Sequence, residues 1–181
     1  MIRMLMLSIL SLAVSAAPAE SQERTQASPV TPLKVQVVLS RYDGDKKLSS
    51  MPYTLLVNAG DRDNRVTLRM GVSLPVAGAG ASGPTVTFHD IGTNMDCTAT
   101  TTDEGRYRIN LAVNHTSVYE NDSKHLQAAV PRAGDAAQLI RSFTSSFFVL
   151  LRDQQSAQTI AATDPVTGEV MKIDVSIAVV K

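Results

Sequence analysis

The side chains that could carry out chemistry are few and scattered. Histidine occurs three times, at His89, His115 and His125, and its ordinary pKa suits proton transfer near neutral pH. Asp90 follows His89 and could orient its imidazole, while His115 stands beside the hydroxyls of Thr116 and Ser117. A serine nucleophile needs more, namely a strained turn presenting the hydroxyl with oxyanion donors beside it. No G-x-S-x-G occurs, and the serines fall on strand-like and loop stretches without such a turn. His89, Asp90 and Asp96 are the nearest approach to a metal set, but their spacing fits neither a zinc site nor a calcium loop. The expectation is no catalytic residue, no metal ligand and no cofactor. A periplasmic hydrolase working through the histidines is kept as an alternative.

Two further patterns mimic binding motifs. Gly78-Ala79-Gly80-Ala81-Ser82-Gly83 matches G-x-G-x-x-G letter for letter. That motif binds a pyrophosphate only where it opens a helix, whose N-terminus holds the anion. Pro84 and the β-rich Thr85-Val86-Thr87-Phe88 follow instead, so the run reads as a loop between strands and no nucleotide is expected. Arg65, Arg69, Arg106 and Arg108 could line one sheet face as a basic stripe. A nucleic-acid surface would interleave aromatic platforms, but Tyr107 falls on the opposite face and Phe143 and Phe147 suit a core. With 17 basic and 17 acidic residues there is no broad positive field either. No nucleic acid is expected.

The elements that position these groups have a plain signature. Aromatics are 4% of the chain and Trp is absent, so any core is aliphatic. Residues 33–40 alternate Leu33, Val35, Val37 and Leu39 with Lys34, Gln36, Val38 and Ser40, the period of a half-buried strand. The same alternation marks strands near 53–57, 66–72, 86–99, 107–113 and 171–179, and 140–151 and 158–163 also read as strands. Turn residues separate them: Asp43-Gly44, Ala59-Gly60-Asp61, Asp103-Glu104-Gly105, Asp153-Gln154-Gln155 and Asp164-Pro165-Val166-Thr167-Gly168. The first three strands read as antiparallel neighbours, and the last three as a meander to which the rest is added. Gly92 inside a strand pattern predicts a bulge or kink. Cys97, the only cysteine, falls on the apolar side of its strand as a buried thiol. Residues 117–137 form a polar loop longer than compact domains usually carry.

The N-terminus reads as a signal peptide. Arg3 precedes an apolar run over residues 4–14, and Ala17-Pro18-Ala19 fits the cleavage pattern. The run is too short to span a bilayer. The expected organisation is a signal peptide 1–19, a flexible leader 20–32 and a single β domain 33–181, with no integral membrane span in the mature chain. The mature protein is expected in the periplasm or outside the cell.

Four segments in order add a resemblance. They are Gly71-Val72-Ser73-Leu74-Pro75-Val76 ahead of the glycine run, Val86-Thr87-Phe88-His89-Asp90-Ile91-Gly92-Thr93-Asn94-Met95, the strand 106–113, and Arg141-Ser142-Phe143-Thr144-Ser145-Ser146 leading to Asp153-Gln154-Gln155. Their order and spacing resemble the β-domain of secretins, the multimeric outer-membrane channels of bacterial type II and III secretion and pilus systems. Secretins usually carry proline where this chain has Cys97-Thr98-Ala99-Thr100, and a Gly-rich continuation where it has Ser156-Ala157-Gln158-Thr159. The resemblance implies a β fold and a short stand-alone relative of that domain. The expected architecture is all-β, a mostly antiparallel sandwich or highly twisted sheet of about eight strands. The expected function is a non-enzymatic envelope protein that binds a protein partner or itself, by a sheet edge or the 117–137 loop. The alternative is a minimal secretin-like subunit oligomerising at the outer membrane.

Overall fold

The computed structural model describes residues 30–60, 64–80, 83–119 and 139–181. The expected signal peptide, most of the leader and most of the 117–137 loop lie outside them. Among the described residues eight strands follow one another: β1 Thr31–Asp43, β2 Lys46–Ala59, β3 Val66–Gly80, β4 Gly83–Thr102, β5 Arg106–Val118, β6 Ile140–Leu151, β7 Ser156–Thr163 and β8 Val170–Val179. They build two four-stranded antiparallel sheets, ordered β2-β1-β8-β7 and β3-β4-β5-β6. This is the antiparallel sandwich that the alternation predicts.

The apolar faces of the two sheets meet. Leu33, Val35, Val37 and Leu39 of β1 and Ile173, Val175 and Ile177 of β8 face Met95, Cys97, Ile109, Leu111 and Val113 of β4 and β5, all buried. Burying a side chain of this kind contributes about 1.5–3 kcal/mol, so an aliphatic core without tryptophan suffices. Cys97 is fully buried, and desolvation pushes its thiol up to about 12. It is a core residue rather than a reactive one.

Neighbour order departs from the expectation in two places, because alternation fixes which face is apolar and not which strand lies alongside. The first three strands are not one antiparallel set. β1 and β2 form a hairpin through Gly44, at φ 54, but β3 pairs with β4 in the second sheet. The last three are not one meander either: β6 pairs with β5, while β7 and β8 belong to the first sheet. The turn after β6 is a corner between layers. Gln154 sits at φ 62, its N–H donates to the Ile177 carbonyl at 3.1 Å, and the Ile177 N–H donates to the Gln155 carbonyl at 3.2 Å. The Val179 N–H donates to Asp153 Oδ1 at 2.7 Å. The corner is thereby stitched to β8.

The described residues of the glycine run are strand, not loop. β3 reaches Gly80 and β4 starts at Gly83, with Gly80 opposite Gly83 and Gly78 opposite Thr85. It is the far end of a long hairpin, which also removes the helix that a nucleotide motif requires. Gly92 is not a bulge, since the β3–β4 register runs through it unshifted as Gly71↔Gly92. It is the point where β4 leaves β5, whose pairing with β4 ends at Gly92↔Thr116.

Candidate interaction surface

Beyond the Gly71–Gly92 pair the hairpin continues alone to Gly80–Gly83. At ~3.4 Å per residue that is an arm roughly 30 Å long. Paired residues share a face, so Met70, Val72, Leu74 and Val76 lie on the same side as Thr93, Ile91, His89 and Thr87. That side continues the core-facing surface on which Val66 and Leu68 pack, but among the described residues the first sheet's cover ends near the Met70–Thr93 pair, where Tyr53 meets Thr93. Met70 is 60% exposed and Val72 69%; on the reverse side Val86 is 59% and Phe88 67% exposed. A two-stranded ribbon with apolar side chains in water on both sides is marginal by itself. Among the described residues the outer edge of β3 also has no strand beside it, leaving backbone donors and acceptors open to an added strand.

The arm's root is held by polar groups. Ser73 Oγ donates to Asp90 Oδ1 at 2.6 Å, and Arg69 bridges to Asp96 at 2.7 Å while also donating to the Met95 carbonyl. Just inside the sandwich, Thr93 Oγ1 lies 2.8 Å from both the Tyr53 hydroxyl and His115 Nδ1. Tyr53 stands on β2 and the other two on β4 and β5, so the chain of three ties one layer to the other beside Gly92.

His115 is 8% exposed. Burial, then the positive charges of Arg141 and Arg41, hold its pKa below the ordinary value. The folded protein therefore resists protonation more than the unfolded chain does. Stability is complete above about pH 6.5, the ordinary histidine value, and is lost as the pH falls from there toward the lower folded-state pKa. The expected result is a urea midpoint that drops on acidification through this window in the native protein and drops less in His115→Gln. An identical slope in both would place the dependence elsewhere.

A second cluster, which the sequence reading did not single out, closes the end of the sandwich near β6, β7 and β8. Arg141 Nη1 donates to Glu169 at 2.9 Å, and its Nε lies 2.5 Å from Asp164 off the hydrogen-bonding angle. Arg41 Nε lies 3.4 Å from Glu169, and the Arg141 guanidinium stacks 4.3 Å from the Tyr119 ring centre. Burial alone raises the Asp164 pKa. The Val166 and Thr167 N–H groups, the Tyr119 hydroxyl and Arg141 more than reverse it, leaving the carboxyl below its ordinary value. The only sequence signal was Asp164 at the head of a turn.

The residues singled out for chemistry do not converge. His89 is exposed on the arm, His115 is in the core, and His125 lies outside the described residues. Among the described residues no three His, Cys, Asp or Glu side chains gather to hold a metal. Asp90 is bonded to Ser73 and Asp96 to Arg69. Three of the four arginines that could have lined a basic stripe are engaged locally. Arg69 pairs with Asp96, Arg106 with Glu104 at 2.8 Å, and Arg108 lies 4.1 Å over the Phe148 ring. Phe143 and Phe147 pack against the core, as their positions predict. Among the described residues no helix is long and apolar enough to cross a membrane, which says nothing of strands.

No family model and no curated protein matches the chain. Solved structures do. The InvG secretin of the Salmonella SPI-1 type III secretion injectisome is similar at 10% identity and a TM-score of 0.46, over 84% of this chain and 62% of that one. Aeromonas hydrophila ExeD is similar at 10% identity and a TM-score of 0.44, over 83% of this chain and 47% of that one. The V. cholerae type IV competence pilus secretin PilQ is similar at 12% identity and a TM-score of 0.41, over 83% and 57%. The chain thus spans only part of the length of each of them.

Proposed function

We propose that the chain is an exported, non-enzymatic protein of the cell envelope that binds another protein through the β3–β4 arm. The observation that carries this reading is the uncovered arm, with Met70, Val72, Val86 and Phe88 all more than half exposed. Covering each fully would contribute about 1.5–3 kcal/mol, and the β3 edge offers backbone pairing in addition. The apolar run over residues 4–14 and Ala17-Pro18-Ala19 support export to the periplasm or beyond. A second reading is self-association. Among the described residues both edges of the second sheet, β3 and β6, are unpaired, so β3 of one copy can pair with β6 of the next in a head-to-tail contact that repeats into a ring.

The double variant Val72→Lys/Phe88→Lys tests both. These side chains are 69% and 67% exposed, so the unfolding free energy is expected to stay within about 0.5 kcal/mol of the native value. Association should be lost. Light scattering and co-purification from the envelope fraction read the result: a defined complex for the native protein, absent for the variant. A mass that is a multiple of the chain's own selects self-association. A variant that assembles as the native protein does would remove the arm from the account.

A further inference from the structure

Between the start of β6, the end of β7 and the turn before β8 lies a cavity of about 240 Å³. Ile140, Phe143 and Met171 form an apolar wall, and Arg41, Asp164 and Glu169 a charged one. Donors and acceptors across the charged wall do not balance. Asp164 is saturated by the Tyr119 hydroxyl at 2.9 Å, the Val166 and Thr167 N–H groups at 2.8 and 3.1 Å, and Arg141. Glu169 accepts from Arg141. Arg41 brings five N–H donors to a single ion contact among the described residues, 3.4 Å from Nε to Glu169. That nitrogen is itself buried without a hydrogen-bond partner. The Arg41 side chain is 22% exposed, so water satisfies its fork only in part.

A planar fork in this position matches a carboxylate in two-point geometry. The two arginines and two carboxylates of the cluster already sum to zero. A dianion such as phosphate would therefore be repelled by Asp164 and Glu169, whereas one extra negative charge on Arg41 is tolerable. Volume sets the size: the space equals roughly eight waters at about 30 Å³ each in the liquid, below the ~300–1,000 Å³ of drug-sized sites. We propose that this cavity binds a small monocarboxylate with a short apolar tail, its carboxylate on Arg41 and its tail against Ile140, Phe143 and Met171. The site is separate from the arm and does not depend on the reading above.

The test is calorimetric titration of the native protein with hexanoate, hexanamide and inorganic phosphate, with the Met171 methyl signal followed by NMR. The expected result is saturable hexanoate binding that moves the Met171 methyl, with hexanamide and phosphate at least about tenfold weaker. Arg41→Gln should weaken hexanoate by about tenfold or more, and Arg41→Lys, which keeps the charge and loses the fork, by less. Equal binding of hexanamide, tighter binding of phosphate, or no Met171 response at millimolar hexanoate would each overturn the proposal. The comparison of hexanoate with its amide needs no variant and so stands even if Arg41→Gln fails to fold.

Discussion

Gly92→Ala is expected to release the arm from its root. Gly92 sits at φ 151, a conformation L side chains rarely adopt, and a Cβ there would lie 2.1 Å from the Met70 carbonyl oxygen and 2.4 Å from Gly71 Cα. Both neighbours are backbone, so nothing flexible can yield. Relief requires the β3–β4 pairing to part where β4 leaves β5, at a cost on the order of 3 kcal/mol. Because ~1.4 kcal/mol is tenfold in an equilibrium constant, amide exchange along the arm should speed up roughly a hundredfold. Gly71→Ala meets only the Ile91 carbonyl, at 2.6 Å and without a positive φ, and should cost less. Arm amides in Gly92→Ala that stay as protected as the native ones would contradict this account of the root.

Arg141→Met should cost the sandwich most among single changes at the charged cluster. The Arg141, Asp164 and Glu169 side chains are 11%, 6% and 18% exposed. Removing the cation leaves two carboxylates buried beside each other, and breaking such a set by one member typically costs about 3–5 kcal/mol. In the native protein Asp164 titrates below its ordinary value. Its stabilisation is therefore present above about pH 4 and is lost as the pH falls through the lower folded-state value. Without Arg141 the Val166, Thr167 and Tyr119 hydrogen bonds still hold the Asp164 pKa down, but one lowering contribution is gone, so the variant is protonated at a higher pH than the native protein. The deficit relative to the native protein should thus shrink on acidification. Adding Asp164→Asn and Glu169→Gln to Arg141→Met should recover part of the loss, since removing a whole buried ion set is far cheaper than removing one partner. Urea denaturation at neutral and acid pH measures both effects; a deficit that grows with acidity would count against the assignment.

The sequence made the layers legible and left their order open. Alternation in residues 33–40, 107–113 and 171–179 is clear, with Val38, Ala112 and Ala178 the exceptions, and each run lies in a strand with most of its apolar side buried. The same alternation from Val66 to Val76 gave no sign that Val66 packs on the core while Val72 stands in water. A period of two reports an apolar face, and coverage of that face depends on a layer encoded elsewhere in the chain. Gly92 was legible as a break, but its meaning came only from its partner Gly71, twenty-odd residues earlier in sequence and opposite it in register. The charged cluster was illegible for the same reason. Arg41, Tyr119, Arg141, Asp164 and Glu169 come from β1, the end of β5, β6 and the β7–β8 turn, and no local pattern links them. His115 looked like a candidate base beside hydroxyls. Its actual hydroxyl partner is Thr93 on the neighbouring strand.

The central claim is that the arm is covered by protein in the cell. A photoreactive phenylalanine analogue placed at Val72, in the exposed inner face of the arm, tests it most directly in intact cells. Thr54 serves as the control, since it is exposed on the outer face of the first sheet and outside the arm. Irradiation should yield a discrete adduct from position 72 and none from position 54, with the adduct lost when Phe88→Lys is added. No adduct at 72, or equal adducts at both positions, would mean that the arm stands free in solution and that the proposed function is wrong.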